Sequence, residues 1–516
     1  MGVRVQRSVM NIKVGMLFYV LGLFLAFFSR KVFLDCLGTE FIGLTGMLRN
    51  IMSYLSVAEL GIGTSIVYFL YKPLQEDNHE KINEVVSILA YLYRCIGLII
   101  GGVGLVVSLF FPWWFGNLQQ TGLFLVYFTF YSFLASSMAG YIFNYRQLLV
   151  SANQKQYVVN AYFQTITIVQ NITQILLAYY YRNLYLWVVV GLVFTIIGCI
   201  VFNYRINKVY PWLHISLKEG RQNLKKYPEV LKKTRQIFIQ RIKNLILYRS
   251  DEILVGWFLS VVHVAYYGNY TIIVNKLNFL VNILSNGMNA GIGNLIAEGN
   301  TKNTMKVFWE LTAIRFLIVG IITFALIMFL QSFIVCWLGL QYRLSDIIAY
   351  LFIVHIFMYL SRGVVEMYIA ASGLYSDVWT AWTEIVLNLG ITLCLAPFFG
   401  IVGILLGKII SVFFIAIFWK PYFLFSKGLQ QKVSVYWEGM AKYYIIYTMF
   451  AVAALVLKNW VVDPHADNFL RLIAYGATTY IPLIILYFLM MLATTNGMKY
   501  FVARKPAIYK LLNKKS

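Results

Sequence analysis

Charged residues are scarce in this 516-residue sequence, and acidic residues are the scarcest of them. Only 12% of the residues are Asp, Glu, Lys or Arg, whereas 60% are hydrophobic, and the mean hydropathy is +0.72. A soluble domain typically has about 25% charged residues. So little polar surface excludes a single water-soluble body of this length, and we expect most of the chain to lie in a lipid bilayer.

Cysteine pairs and catalytic motifs are also missing. The five cysteines are dispersed without a CxxC pair, which argues against a disulfide framework or a metal cage. The sequence contains no Walker A, HExxH or GxSxG motif. We therefore predict a protein that is not an enzyme and that needs no cofactor or metal ion.

The positive charge is distributed in a pattern typical of membrane proteins. Lys and Arg number 43 against 20 Asp and Glu, a formal net charge of +23. These basic residues cluster in short connectors between apolar runs, and no basic-aromatic module lies outside those runs. The pattern indicates membrane orientation and contact with anionic lipid headgroups rather than nucleic-acid binding.

Fourteen apolar stretches are long enough to cross a bilayer, since a spanning helix needs about 20 mainly apolar residues. They are 12–32, 41–70, 84–111, 121–144, 157–181, 185–205, 237–260, 265–297, 307–336, 347–371, 379–398, 402–425, 442–460 and 469–493. Connectors on one side hold 30 Lys and Arg residues, and those on the other side hold six. This asymmetry predicts both termini in the cytoplasm, with short outer loops. The basic segment 216–233 and the tail after Lys499 are predicted to lie on the membrane surface.

Short motifs repeat on either side of the long basic connector. Gly61-Ile62-Gly63 in span two has a counterpart in Gly291-Ile292-Gly293 of span eight. Arg94 of span three likewise corresponds to Arg315 of span nine. Because six spans is an even number, the second copy enters the membrane with the same orientation as the first. Chance similarity between glycine- and aromatic-rich helices is the alternative explanation.

These observations predict an all-α polytopic membrane protein with about 14 transmembrane helices. Two six-helix lobes would be related by a pseudo-two-fold axis along the membrane normal, followed by two C-terminal helices. The predicted boundaries are 1–205 for the N-lobe, 206–236 for a basic cytoplasmic linker, 237–425 for the C-lobe, and 426–516 for helices 13–14 and the basic tail.

Polar side chains recur along one face of three spans. In span eight the five asparagines are three or four residues apart and fall within about 80° of a helix: Asn275, Asn278, Asn282, Asn286 and Asn289. Span two has a similar face with Thr45, Arg49, Ser53, Ser56 and Gly63, with Glu59 at its edge, and span five has Asn160, Gln164, Asn171 and Gln174. Amides facing acyl chains would be costly, so we expect either a hydrated chamber able to bind sugar hydroxyls or polar contacts between packed helices.

Several ionisable residues lie within predicted spans, where such residues are expensive and usually functional. Arg30, Arg49 and Lys276 are predicted in the outer half of the membrane and would suit a phosphate or pyrophosphate, although Arg30 could instead extend to the interface. Lys408 is a further cavity candidate. Asp251 and Glu252 are predicted counter-charges for Lys276 or a titratable coupling site. Glu59 is a further candidate for a coupling or counter-charge role. Arg362 and Glu366 are predicted to form an internal ion pair, with a direct substrate role as the alternative. A proton relay at His355 is a weaker hypothesis.

The first 75 residues resemble a known family. The runs are Leu37-Gly38-Thr39-Glu40-Phe41-Ile42-Gly43-Leu44-Thr45-Gly46, Leu55-Ser56-Val57-Ala58-Glu59-Leu60-Gly61-Ile62-Gly63 and Tyr71-Lys72-Pro73-Leu74, and Asp251 with Gly268-Asn269-Tyr270 adds a looser match. They are similar to bacterial polysaccharide-repeat flippases of the multidrug/oligosaccharidyl-lipid/polysaccharide exporter superfamily. The resemblance extends over the whole chain in span count and repeat.

The resemblance implies a monomeric flippase in the bacterial inner membrane. It would move undecaprenyl-pyrophosphate-linked oligosaccharides from the cytoplasmic to the outer leaflet by alternating access, for O-antigen, capsule or exopolysaccharide. Basic cavity residues would bind the pyrophosphate, a role that Arg30, Arg49 and Lys276 fit and that carries over less securely to Lys408. Expected partners are the lipid-linked oligosaccharide, membrane lipids, a polysaccharide polymerase and glycosyltransferases.

Three alternatives remain open at the level of sequence. A lipid II flippase would handle the same pyrophosphate anchor. A drug or cation antiporter of the superfamily would need acidic cavity residues in the first lobe, where Arg30 and Arg49 lie instead. A membrane-embedded polymerase or glycosyltransferase would usually have acidic residues in a sizeable outer loop, which the predicted topology lacks.

Overall fold

The helices of the chain group into two compact units. The computed structural model describes residues 3–504, except 60–61, 117, 119–120, 154, 229–233, 235–245, 247–248, 287–288, 375–376, 378 and 462–467. Across these described residues all regular structure is helical, which agrees with the predicted all-α class. The first unit is Met1–Ala265 and the second is Tyr266–Ser516. The predicted boundaries of the N-lobe, the basic linker, the C-lobe and the C-terminal helices remain predictions.

The described part of the first unit contains eleven helices and the start of a twelfth. They are α1 (Val3–Leu37), α2 (Thr39–Leu55), α3 (Ile62–Gln75), α4 (His79–Ser108), α5 (Phe111–Phe115), α6 (Leu123–Asn144), α7 (Gln147–Ala152), α8 (Gln156–Tyr181), α9 (Leu184–Val209), α10 (Leu217–Asn223) and α11 (within 249–258), followed by the first turn of α12 (Val261–Asn286). A 3₁₀ turn, Ser56–Glu59, follows α2.

The residues described in the second unit form the rest of α12 and eleven further helices. These are α13 (Asn289–Ala297), α14 (Thr301–Leu338), α15 (Asp346–Ser361), α16 (Gly363–Ala371), α17 (Trp379–Phe399), α18 (Ile401–Val412), α19 (Lys420–Phe423), α20 (Val433–Val461), α21 (Phe469–Tyr475), α22 (Ile481–Thr494) and α23 (Asn496–Ala503). Three π-helical stretches occur at Phe413–Trp419, Leu424–Gly428 and Gly476–Tyr480.

Ten helical stretches among the described residues are long and apolar enough to cross a membrane, so the chain is a multi-pass membrane protein. Each corresponds to one of the 14 predicted spans. The four predicted spans without such a counterpart are 41–70, 157–181, 237–260 and 265–297. The full count of 14 therefore remains a prediction.

Polar residues explain most of this difference. Helix α8 covers the predicted span 157–181 without a break, but its amide residues lower its hydropathy. The span 41–70 is divided between α2 and α3, and 265–297 includes α12 and α13, with residues 287–288 outside the described part. Much of 237–260 lies outside the described residues. The three spans predicted to have polar faces are thus all among the exceptions.

Glycines allow α2 to approach α11 and α12 closely. A Cβ at Gly43 would overlap the carbonyl oxygen of Val261, at the start of α12. A Cβ at Gly46 would lie 3.3 Å from Glu252 Oε2, and one at Gly256 would lie 2.6 Å from Met47 Sδ. This packing positions the polar residues of α2 beside those of α11.

Each unit has a short helix docked near the start of a long one. Helix α10 packs on α4, and α23 packs on α14. The side chains of Asn78 and Asn300 cap α4 and α14 by accepting hydrogen bonds from backbone N–H groups three residues later. A Cβ at Gly220 of α10 would overlap the carbonyl oxygen of Ser87, nine residues after Asn78. A Cβ at Gly497 of α23 would overlap the carbonyl oxygen of Trp309, nine residues after Asn300.

An ion pair accompanies each of these contacts. Lys226 Nζ lies 3.1 Å from Glu84 Oε1 of α4, and the Tyr227 hydroxyl donates to Glu84 Oε2 at 2.8 Å. Burial and the bonded carboxylate together raise the pKa of Tyr227 to about 12. In the second unit, Arg504 Nη2 lies 3.2 Å from Glu310 Oε2 of α14. The predicted surface segments thus include helices fixed to the helix bundle.

The two C-terminal predicted spans pack against α14 of the second unit. The Tyr487 hydroxyl donates to the carbonyl of Phe316 at 2.9 Å, and the Tyr447 hydroxyl donates to Thr323 Oγ1 at 3.0 Å. A Cβ at Gly320 would overlap the Tyr487 ring. Helices α20 and α22 therefore belong to the core of the second unit.

Candidate functional site

Arg49 of α2 projects a guanidinium between two aromatic rings. Its Cζ lies 5.5 Å from the ring centre of Phe133 in α6 and 5.7 Å from that of Trp187 in α9. The Trp187 ring is itself held edge-on by Phe33 and Phe41, at 5.5 Å from each. Aromatic faces attract a guanidinium while leaving its in-plane N–H donors available.

The donors of Arg49 are uncommitted within the described part of the chain. The side chain is exposed, and no described residue accepts a hydrogen bond from its guanidinium. Glu252 of α11 lies within electrostatic range of it. An arginine within a predicted span that is oriented by aromatic rings, with its donors free, can bind a phosphate or carboxylate bidentately.

Glu252 occupies a polar cluster between α2 and α11. Asn50, which is only 4% exposed, donates from Nδ2 to Glu252 Oε2 and to the carbonyl of Gly46. Arg30 is half-buried, lies within electrostatic range of Glu252, and donates from Nη2 to the carbonyl of Ala265 at 2.9 Å. The structure thus brings Arg30, Arg49 and Glu252 together in the first unit. Whether Glu252 or Asp251 also balances Lys276 stays a prediction.

A cavity of about 540 Å³ lies elsewhere in the first unit. Its lining is largely apolar and aromatic, from the far end of α4, from α5, and from the faces of α2 and α11 that include Met47, Tyr54 and Trp257. Asp251 is buried near Tyr54, within electrostatic range of its hydroxyl. Arg49 is not part of this lining. The cavity and the Arg49 cluster are therefore separate features.

Glu59 accepts hydrogen bonds from two tyrosines. The hydroxyl of Tyr93 in α4 donates to Oε1 at 2.7 Å, and that of Tyr141 in α6 donates to Oε2 at 3.0 Å. A Cβ at Gly63 would lie 3.1 Å from the Tyr93 hydroxyl oxygen. The two phenols fix the carboxylate where three helices meet, and its predicted coupling role stays a prediction.

The hydroxyls and amides of spans two and five largely bond to the backbone. Thr45, Ser53 and Ser56 each donate to a carbonyl three or four residues earlier in α2. In α8, Asn171 donates to the carbonyl of Thr167, and Gln174 to that of Trp187 at 2.8 Å. Contacts of this kind agree with polar packing, the alternative to a hydrated wall.

The asparagine row of span eight lies on α12 and at the start of α13. Asn275, Asn278, Asn282 and Asn286 lie on α12 and Asn289 begins α13, with residues 287–288 outside the described part of the chain, so the single helical stripe stays a prediction. Asn275 is exposed, and Asn282 donates from Nδ2 to the Tyr359 hydroxyl of α15 at 3.2 Å. The Oδ1 atom of Asn278 is buried and accepts no hydrogen bond from the described residues. The side chains of Asn286 and Asn289 lie outside what the structure describes.

The predicted cationic residues of the second unit differ in burial. Lys276 of α12 is half-buried, and Lys408 of α18 is only 7% exposed. His355 of α15 is buried and lies within electrostatic range of Lys408 and Arg362. The proton-relay role of His355 stays a prediction.

The predicted pair of Arg362 and Glu366 is present in the second unit. Arg362 Nε lies 3.1 Å from Glu366 Oε1, at the junction of α15 and α16. Arg315 of α14 lies nearby, only 7% exposed, and donates from Nε to the carbonyl of Leu360 at 2.6 Å. A Cβ at Gly363 would overlap the Arg315 guanidinium. Arg315 therefore serves the packing of three helical segments.

Several residues that form these contacts were not predicted from the sequence. Arg315 was noted only as the counterpart of Arg94 in the repeat, and Asn50, Phe133 and Trp187 were not singled out. Asn50 carried a usable signal, because it adjoins Arg49 in a predicted span. Phe133 and Trp187 carried none, since aromatic residues are common in every span.

Comparisons with known proteins place the fold. No family model matches the sequence, and no curated protein matches it. The solved structure of the lipid II flippase MurJ, in an inward closed conformation, matches with a TM-score of 0.61 and 15% identity, over 95% of this chain and 98% of that chain. An inward-facing multidrug resistance MATE family transporter of the MOP superfamily matches with a TM-score of 0.55 and 15% identity, over 81% of this chain and 97% of that chain.

The chain shares the fold of these two solved structures. This supports the predicted two-lobe architecture of the fold class. Both matched structures are of transport proteins rather than enzymes. At 15% identity the likeness concerns the fold and does not extend to the substrate.

Proposed function

We propose that this protein is a flippase for undecaprenyl-pyrophosphate-linked oligosaccharide repeat units. It would move them from the cytoplasmic to the outer leaflet of a bacterial inner membrane by alternating access, with both termini in the cytoplasm. Its partners would be the lipid-linked substrate, membrane lipids, and the polymerase and glycosyltransferases that handle the same sugar. The proposal rests on the transporter fold and on the chemistry of the Arg49 cluster.

The free guanidinium of Arg49 is the observation that most supports the proposal. An exposed arginine in a spanning helix is costly against lipid, so it should face water or an anion. Phe133 and Trp187 hold it in place without using its N–H donors. A pyrophosphate has several anionic oxygens, and the paired N–H donors of a guanidinium can bind two of them at once. Arg30 lies in the same cluster as Arg49.

Glu252 gives the cluster a second property. When the substrate is absent, this carboxylate partly balances Arg30 and Arg49. A pyrophosphate that reaches Arg49 would compete with it, so substrate binding and the charge state of Glu252 should be linked. Lys276, Lys408 and the asparagines of the second unit are proposed to contribute to the phosphate and sugar contacts.

Lipid II is the main alternative substrate. One of the matched structures is a lipid II flippase, and the same arginine chemistry would serve its pyrophosphate. The other is a multidrug transporter, but a free arginine in the first unit disfavours a cationic drug. An enzyme of polysaccharide polymerisation is disfavoured because the matched structures are transporters.

Translocation by Arg49 variants tests the proposal. Purified protein in proteoliposomes would be given a fluorescent undecaprenyl-pyrophosphate-linked oligosaccharide, and transfer would be followed by accessibility to an impermeant quencher. We expect Arg49→Ala to slow transfer by about tenfold or more, because one charge-assisted hydrogen bond contributes about 1.5–3 kcal/mol. Arg49→Lys should retain part of the rate, since the charge stays but the bidentate fork is lost.

Arg182→Ala is the matched control. Arg182 is exposed in the connector between α8 and α9, so its removal takes away the same charge from outside the cluster of Arg30, Arg49 and Glu252. Its rate should equal that of the wild type. A stably inserted Arg49→Ala protein that transfers the substrate at the wild-type rate would overturn the phosphate-binding role. Parallel assays with lipid II would decide between the two substrates.

A further inference from the structure

The docked helix α10 has two opposite faces. Gly220 and Asn223 are buried against α4, and the N–H of Ser216 donates to Ser87 Oγ at 3.2 Å. The helical turn continues beyond Asn223, because the N–H groups of Leu224, Lys225 and Lys226 bond to carbonyls three or four residues earlier. One side of the segment is therefore committed to the helix bundle.

Three basic residues line the other side. Lys218, Arg221 and Lys225 are spaced three and four residues apart and fall within about 60° of one another on a helix. On the same projection, Gly220 and Asn223 lie on the opposite side. All three basic side chains are exposed, and none forms an ion pair with another described residue. The ion pair with Glu84 instead uses Lys226, on the docked side.

The docking position lies near the membrane surface. Helix α4 has 30 residues and is about 45 Å long, whereas the hydrocarbon core is about 30 Å thick. A centred α4 would therefore leave about 7 Å at each end among the headgroups. Asn83 and Ser87, which bond to the docked segment, lie about 6–12 Å from the start of α4. The segment is thus held at the boundary between headgroups and hydrocarbon.

We propose that Lys218, Arg221 and Lys225 form a binding site for the headgroups of anionic phospholipids. The docked face fixes the segment on α4, and the basic face meets the phosphates of the leaflet beside it. The positive charge of these three residues fits a phosphate-bearing headgroup. Their position near the start of α4 fits a lipid rather than a soluble anion. This inference is independent of the proposed transport function.

Lipid binding by the purified full-length protein tests this site. Protein in detergent would be titrated with phosphatidylglycerol or phosphatidylcholine, and bound lipid would be counted by native mass spectrometry. Each basic group near an anionic surface contributes about a factor of five in affinity, so Lys218→Gln/Arg221→Gln should weaken phosphatidylglycerol binding about 25-fold. Phosphatidylcholine binding should not change.

Two further variants make the test specific. Lys31→Gln/Arg182→Gln removes the same charge from exposed positions in α1 and after α8, and it should bind phosphatidylglycerol within about twofold of wild type. Gly220→Ala keeps every charge but forces a methyl group onto the carbonyl of Ser87. It should weaken binding at least fivefold if the docked geometry builds the site.

Three outcomes would overturn the proposal. Wild-type affinity for phosphatidylglycerol in the Lys218→Gln/Arg221→Gln variant would show that these residues do not bind the lipid. Equal losses in that variant and in the Lys31→Gln/Arg182→Gln control would show that only total charge matters. Displacement of the lipid by glycerol phosphate at comparable concentration would identify a soluble anion site instead.

Discussion

Arg49 in the first unit and Arg315 in the second are both arginines in apolar stretches, yet the structure uses them differently. Arg49 is exposed between Phe133 and Trp187 with its donors free. Arg315 is buried, and it donates to the carbonyl of Leu360. The comparison teaches that an intramembrane charge indicates function only when its donors remain available.

The difference arises from the neighbouring backbone. Helix α15 ends at Ser361 and α16 begins at Gly363, so the carbonyl of Leu360 lies at a helix end, where backbone acceptors lack partners within the helix. Arg315 supplies one of those partners. The rings that contact Arg49 belong to α6 and α9. These helices are continuous there, so their backbone carbonyls are already bonded within the helix.

Removing each arginine should separate the two roles. Arg315→Ala removes a charge-assisted hydrogen bond to the Leu360 carbonyl and should lower the free energy of unfolding by about 1.5–3 kcal/mol. Arg49→Ala removes no hydrogen bond within the described structure, only its cation–π contacts, so it should lower that free energy by no more than about 0.5–1 kcal/mol while transport falls. Thermal unfolding in detergent measures both variants. An Arg49→Ala protein destabilised as much as Arg315→Ala would erase the distinction.

Glycine contacts of the first unit should matter nearly as much. Gly43→Ala places a methyl group on the carbonyl of Val261 and should cost about 1–3 kcal/mol, the usual cost of overpacking. Gly102→Ala in α4 is the matched control, because no atom lies within 4 Å of its added Cβ. That control should be neutral or slightly stabilising. Thermal unfolding of the two variants in one detergent gives the difference, and equal melting temperatures would refute the close approach of α2 and α12.

Much of the fold could be predicted from the sequence because lipid imposes a simple length and hydropathy rule. Ten predicted spans match helical stretches of the structure that could cross a membrane. Their ends were less predictable, as α14 shows: it starts at Thr301, six residues before the predicted span. Asn300 caps it in a polar segment that a hydropathy window does not register.

The site was predictable only where its contacts are local. Arg362 and Glu366 are four residues apart on consecutive helical turns, so their pairing followed from spacing. The partners of Glu252 are more than 200 residues away in the chain, in α1 and α2, and depend on tertiary packing. Spacing alone could not separate a free arginine from a bonded one.

The docked helices offer a milder comparison between the units. Gly220→Ala should loosen α10, and Gly497→Ala should loosen α23, because each methyl group meets a backbone carbonyl. Hydrogen exchange should rise about tenfold in the affected helix only, as expected for a local cost of about 1.4 kcal/mol. An increase in both helices from either variant would contradict local docking, and no increase in either would contradict the close contacts themselves.

The smallest expected effect concerns Asn282 of the second unit. Its hydrogen bond to Tyr359 joins α12 to α15, and such bonds between membrane helices contribute about 0.6 kcal/mol. Asn282→Leu, Tyr359→Phe and the double variant form a cycle whose coupling energy, measured by thermal unfolding, should be of that size. If polar packing is the main role of Asn282, transport by Asn282→Leu should stay within about twofold of wild type while Arg49→Ala loses it. A loss in Asn282→Leu as large as that in Arg49→Ala, with stability retained, would instead assign this amide to the substrate. The contrast between a free cation in one unit and bonded polar groups in the other would then have to be abandoned.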